Sequence, residues 1–237
     1  MNDIQWGYVN TVDQCKDVIE LEGATGLYVY VTSSYKMDAI YEIMIENKIR
    51  GLHLSDPYPE TIDKVLDKMI SGELNLVSFS LWFPRIDSRR TRKLVDFIKS
   101  TTILESFTLY QPDWSEDIPD IDGLVSGLCQ NRSITTLKLW GIKLGISGAE
   151  LLCNGLKTNT IIESISLHSN QLGYVGTDYI IELVKNNSTL KNVDLLLNHS
   201  PEPKLDELNQ LLTNETKIKE REMVSLMHRA RMIKAIR

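Results

Sequence analysis

The sequence predicts an α/β solenoid, a parallel sheet of short strands each followed by a helix and wound into a right-handed arc. Three observations predict it. A frame of apolar residues, clearest in IESISLHSNQLG at residues 162–173, recurs along the chain. Its recurrence has a nearly constant period, and between copies lie segments whose apolar residues return every three or four positions, the spacing of one helix face.

Each place in the frame has a physical reason. Alternate side chains of an extended segment face opposite sides, so Ile165 and Leu167 point into a core while Ser164, Ser166 and His168 point away. Asn170 stands where the chain must turn, and its side chain can hydrogen-bond the turning backbone of the next coil. The third apolar position of the frame falls at Val29, Leu54, Leu81, Leu109, Leu139, Leu167 and Leu195, at intervals of 25, 27, 28, 30, 28 and 28 residues. Seven copies at that regularity exclude coincidence.

Taken in order, residues 1–24 read as an N-terminal cap, with a short edge strand at 4–9 and a short helix at 12–21 turning Cys15, Val18 and Ile19 inward. Helices are expected over 37–47, 60–71, 89–100, 118–131, 147–159, 175–187 and 205–214. In the fifth, Ala149, Leu152, Cys153 and Leu156 form one stripe. Closings such as KTNT and KNNST place Asn where a helix ends, a position at which the left-handed conformation is tolerated. About seven repeats therefore fill 25–214. Beyond them, Lys219, Glu220 and Arg221 occupy the place of a strand core, and Met223, Leu226, Met227, Ala230 and Ile233 make an apolar stripe on a basic segment. Residues 215–237 read as a C-terminal helical cap over an open edge, or else as a helix for a membrane surface or a partner.

A period near 28 with a full helix in each unit resembles the ribonuclease-inhibitor-like class of leucine-rich-repeat proteins. The resemblance covers residues 25–198 and is tightest over 134–195, where two units run in parallel. Its Asn place departs from the pattern at Thr32, Pro57, Pro84, Pro112 and Ile142, and conforms at Asn170 and Asn198. The resemblance implies a horseshoe arc that binds proteins on its concave sheet. Geometry agrees on the curvature, since strands sit about 4.8 Å apart while helices pack about 8–10 Å apart, which puts strands on the inside.

Composition narrows the function. Apolar residues at 42% and charged residues at 24% are ordinary for a globular protein, and a net charge of −6 speaks against a nucleic-acid partner. Residues 215–237 hold seven Lys or Arg against three Glu, a net +4, so 1–214 carry −10. The start, MNDIQWGYVN, lacks a basic and apolar leader, and no run approaches the roughly 20 apolar residues of a membrane span, so a cytoplasmic monomer is expected. Cys15, Cys129 and Cys153 have no metal-ligand spacing and read as reduced, buried thiols. Asp113, Glu116, Asp117, Asp120 and Asp122 lack the Gly and spacing of a calcium loop, so neither metal nor cofactor is expected.

Three columns of side chains should project from the concave sheet. The first is small, from Gly26 to Asn192. The second holds Tyr28, His53, Ser80, Thr108, Lys138, Ser166 and Asp194; the third holds Tyr30, Ser55, Trp82, Tyr110, Trp140, His168 and Leu196. Trp82, Tyr110, Trp140 and His168 should form a strip of rings about 15 Å long, of the residue types enriched in interface hot spots. Candidate partner-binding residues are Tyr28, Tyr30, His53, Trp82, Tyr110, Trp140 and His168, with Lys138 and Asp194 setting charge complementarity. The opposing reading is that the rings stack on one another and on Lys138 only to cover the sheet.

A second pattern places Arg85, Arg89 and Arg92 one repeat before Asp113, Asp117 and Asp120, which reads as charge neutralisation between adjacent repeats or else as a polar docking patch. No nucleophile is placed by motif, and there is no phosphate-binding glycine loop, so a non-enzymatic protein-binding module is expected. Two other readings remain open. The repeat class is similar to that of Ran GTPase-activating proteins, which implies a regulator of a small GTPase with Arg85 or Arg89 on the phosphate. A short stand-alone array rich in Ile, Asn and Lys is also similar to bacterial effectors translocated into host cytosol, which act by binding.

Overall fold

A computed structural model describes residues 4–20, 23–30, 34–112 and 117–214. The expected C-terminal cap over 215–237 lies outside the described residues, as do Thr32, Asp113 and Glu116.

Among the described residues eight strands form one sheet, each paired in parallel with its sequence neighbour. They are β1 (Trp6–Val9), β2 (Gly26–Tyr30), β3 (Gly51–Ser55), β4 (Ser78–Trp82), β5 (Ser106–Tyr110), β6 (Thr136–Trp140), β7 (Ser164–Ser166) and β8 (Asn192–Asp194). Each is followed by a helix: α1 (Val12–Glu20), α2 (Ser34–Glu46), α3 (Pro59–Ile70), α4 (Ser88–Ser100), α5 (Ile121–Gln130), α6 (Gly145–Leu156), α7 (Gly173–Asn186) and α8 (Glu202–Thr213). The fold is thus a leucine-rich-repeat α/β solenoid. Its first rung belongs to the segment read as a cap: β1 pairs in register with β2, Tyr8 opposite Tyr28.

Register follows the apolar frame. Leu27, Leu52, Phe79, Phe107, Leu137 and Ile165 align across the sheet, and each is at least 98% buried. Val29, Leu54, Leu81, Leu109 and Leu139 form the second buried row, against which the helix stripes pack. Burying each such side chain contributes about 1.5–3 kcal/mol, and a slip of one residue would turn both rows to solvent.

Two sets of asparagines tie the coils together. Asn198 donates from Nδ2 to the Leu167 and Leu195 carbonyls and accepts at Oδ1 from the Asn170 N–H, while Asn170 donates to the Leu139 carbonyl. These bonds reach back to the preceding coil as well as along the turn. The second set, Asn131, Asn159 and Asn187, is buried after α5, α6 and α7. The left-handed conformation expected there is absent: Asn131 and Asn187 have φ of −61° and −97° with extended ψ. What selects Asn is its side chain, which donates to carbonyls of the coil before and accepts N–H groups two and three residues ahead.

The expected neutralisation between repeats also takes a different route. Arg89 and Arg90 of α4 reach back to Asp63 on α3, and Lys93 reaches Asp67. Asp117 instead receives Lys143 from the following repeat, at 2.7 Å. Asp120 is occupied as the N-cap of α5, accepting from the Gly123 N–H, so Asp117 and Asp120 face forward to the next coil and to their own helix. Exposed pairs of this kind contribute about 0–1 kcal/mol each. Cys15, Cys129 and Cys153 are free and buried. Burial pushes the Cys15 and Cys129 thiols up to about 11 and about 12, so they stay protonated.

Candidate functional site on the concave sheet

Parallel pairing in strict register turns the side-chain columns into rows. Tyr28, His53, Ser80, Thr108, Lys138, Ser166 and Asp194 occupy one row, and Tyr30, Ser55, Trp82, Tyr110 and Trp140 the next. Because rungs are closer than the width of an indole, rings on neighbouring strands must meet.

They meet in one unbroken chain. Tyr8 stacks on Tyr28 with centroids 4.9 Å apart and planes 12° apart. Tyr28 touches His53 at 4.6 Å, and His53 meets Trp82 at 4.8 Å. Trp82 stands against Tyr110 at 5.2 Å and 85°, Tyr110 against Trp140 at 6.1 Å and 72°, and Trp140 reaches His168 at 6.2 Å. The edge-to-face angles are those the ring quadrupole favours. The strip therefore crosses from the middle row on β1–β3 to the third row on β4–β6.

Burial sorts the candidates. Trp82, Tyr110, Trp140, His168 and Tyr28 are half-buried and keep part of each ring in solvent, while His53 is 6% exposed. His53 supports its neighbours from below, and burial pushes its pKa down to about 4. The Tyr28 hydroxyl is raised by burial first, then by Tyr8 and Tyr30. Tyr30 is exposed and makes no ring contact among the described residues. Rings do cover the sheet, as the opposing reading expects, for Ser80 and Thr108 beside them are buried. They also leave a surface of exposed ring.

The C-terminal half of the strip carries the charges. Lys138 Nζ lies 5.5 Å from the Trp140 ring centroid. Trp140 Nε1 donates to Ser166 Oγ at 2.7 Å, and Ser166 Oγ donates to Asp194 Oδ2 at 2.7 Å. A row of three rungs thus fixes the indole. Arg85 is exposed, whereas Arg89 is engaged by Asp63.

Sequence reasoning missed Trp6, Tyr8 and Phe83. Trp6 lies 4.7 Å from Tyr28 and fills the space over two glycines of the small column: a Cβ on Gly51 would come within 2.9 Å of its ring. Tyr8 precedes Tyr28 by only 20 residues, short of the repeat interval, which hid the rung. Phe83 follows β4 with φ of 54°, and that turn brings its ring to 5.0 Å from Tyr110, against the alternation of a strand.

No protein-family model matches the sequence, and no curated protein matches it. Among solved structures, the chain is similar to Leiomodin-1 actin-binding site 2, with a TM-score of 0.56 and 15% identity over 73% of this chain and 99% of that one. The tropomodulin C-terminal domain of Caenorhabditis elegans aligns at a TM-score of 0.37 and 12% identity, over 59% of this chain and 98% of that one. At such identities the likeness to the leiomodin domain is one of fold, and that fold is the leucine-rich-repeat solenoid described above.

Proposed function

We propose that this chain is a protein-recognition module that holds a protein partner on its concave sheet and catalyses no reaction on it. The observation that carries the reading is the continuous ring strip from Tyr8 to His168, still half open to solvent after all its internal contacts are made. Rings held by their neighbours lose little freedom on binding, so their removal from water turns efficiently into affinity. Lys138 and Asp194 add one charge of each sign at one end and set the orientation of the partner. The solenoid shared with Leiomodin-1 actin-binding site 2 makes actin the first partner to test.

The test is a binding assay with purified chain against monomeric actin and against partners recovered by affinity purification. Trp140→Ala and Trp82→Ala are expected to weaken the complex by about tenfold or more, while Lys64→Ala on the helical side leaves it unchanged. Full affinity in both tryptophan variants would remove the concave face as the binding surface.

A further inference from the structure

At the C-terminal ends of the strands, next to the strip, lies a groove of about 1010 Å3 whose lining includes Asp56, Phe83, Arg85, Asp87 and Asp117. Phe83 joins groove to strip, for its ring contacts both Tyr110 and Trp82. Asp56 is fixed at the same rung because its N–H donates to the Trp82 carbonyl at 2.8 Å. Two of the acids are engaged, Asp87 by Arg90 and Asp117 by Lys143. Asp56 has no cation partner among the described residues, and Arg85 is the one opposing charge on this lining.

This is the setting that attracts a cation. Exposed faces of Trp and Tyr draw Lys and Arg through their quadrupole, and Lys138 over Trp140 already makes such a contact within the molecule. Residues 1–214 carry −10, so the long-range field adds to the local one. An acidic partner would meet the field, Asp56 and the ring faces, all unfavourable.

We infer that the partner surface seated on this strip is a basic segment, whose Arg or Lys side chains lie over Trp82 and Tyr110 and reach Asp56. The inference rests on the concave-face reading above and adds the chemistry of the partner.

Fluorescence polarisation with the full chain tests it, using three labelled, end-blocked peptides in which Gly alternates with Arg, with citrulline or with Glu. Citrulline keeps the shape of Arg without its charge. The Arg peptide is expected to bind about tenfold more tightly than the other two. Trp82→Leu keeps apolar bulk but loses the π face, and should weaken the Arg peptide about fivefold; Tyr110→Leu should do the same, and thermal melts confirm that both variants fold. Asp56→Asn should weaken it about threefold and flatten its salt dependence. Equal binding of Arg and citrulline peptides, or no measurable binding of the Arg peptide, overturns the inference. If Trp82→Leu weakens all three peptides alike, the preference for charge falls and the concave surface stands; if it changes neither peptide nor protein-partner binding, both fall.

Discussion

His53 on β3 meets Trp82 on β4 edge-on, with ring centroids 4.8 Å apart and planes at 66°. Tyr28 closes its other side, which leaves the imidazole 6% exposed and its pKa pushed down by burial from 6.5 to about 4. Between those values the unfolded chain binds more protons than the folded one, so this group's contribution is full above about pH 6.5 and is lost as pH falls toward 4. Thermal melts should therefore show wild type losing a few °C more than His53→Phe between about pH 7 and about pH 4.5. Parallel curves for the two proteins would show that His53 does not resist protonation in the fold.

Asn187 is 1% exposed, and its side chain makes five hydrogen bonds that join two coils: Nδ2 donates to the Leu156 and Asn159 carbonyls, and Oδ1 accepts from the N–H groups of Thr189 and Leu190 and from the Thr189 hydroxyl. Asn187→Ala would strand those buried backbone groups, at a cost of about 2–4 kcal/mol. A fall in Tm of roughly 5–12 °C is expected by calorimetry. Asn186→Ala, one residue earlier on an exposed side chain, is the control and should stay within about 2 °C. Equal effects of the two would mean that the buried ladder does not hold the coils together.

The rungs were legible because a parallel ladder leaves one period in the sequence, so the apolar rows and the residues that share a row could be read from Val29 to Leu195. What the period cannot show is how rings lean. His53 and Trp82 stand in different rows, and only their contact reveals that the strip changes rows between β3 and β4. Tyr8 escaped because its 20-residue spacing to Tyr28 breaks the interval, and Phe83 because a positive φ reverses the strand alternation. Within the Arg and Asp pattern, Arg89 and Asp117 find other partners in space than each other. A 28-residue offset aligns equivalent positions, while Arg89 and Arg90 find Asp63 at offsets of 26 and 27.

Gly141 and Gly145 share a left-handed φ, 64° and 62°, in different surroundings. A Cβ on Gly141 would fall well inside contact with the Gln111 carbonyl oxygen, whereas one on Gly145 would meet nothing within 4 Å. Gly145→Ala carries only the conformational penalty, about 1 kcal/mol, or a few °C. Gly141→Ala adds a backbone clash between adjacent rungs and should cost at least twice as much when both variants are unfolded by denaturant titration. If the two variants unfold at the same midpoint, the close approach of β5 and β6 at this turn is looser than the geometry described.

Ser166 holds Trp140 through its hydroxyl and passes the hydrogen bond on to Asp194, whose other oxygen accepts from the Leu196 N–H at 3.0 Å. Ser166→Ala removes both side-chain bonds on a half-exposed surface where water can replace them, so only about 1 kcal/mol of stability and 2–4 °C of Tm should go. The indole, however, loses what aims it. Tryptophan emission should shift to the red, and partner affinity should fall by about three- to tenfold although no contact atom of Trp140 has changed. Asp194→Asn still offers an acceptor to Ser166, so it should keep the emission of wild type while altering the salt dependence of binding. Because stability, emission and affinity respond differently in the two variants, a purely structural Ser166 would betray itself by a matching loss of Tm with affinity left intact.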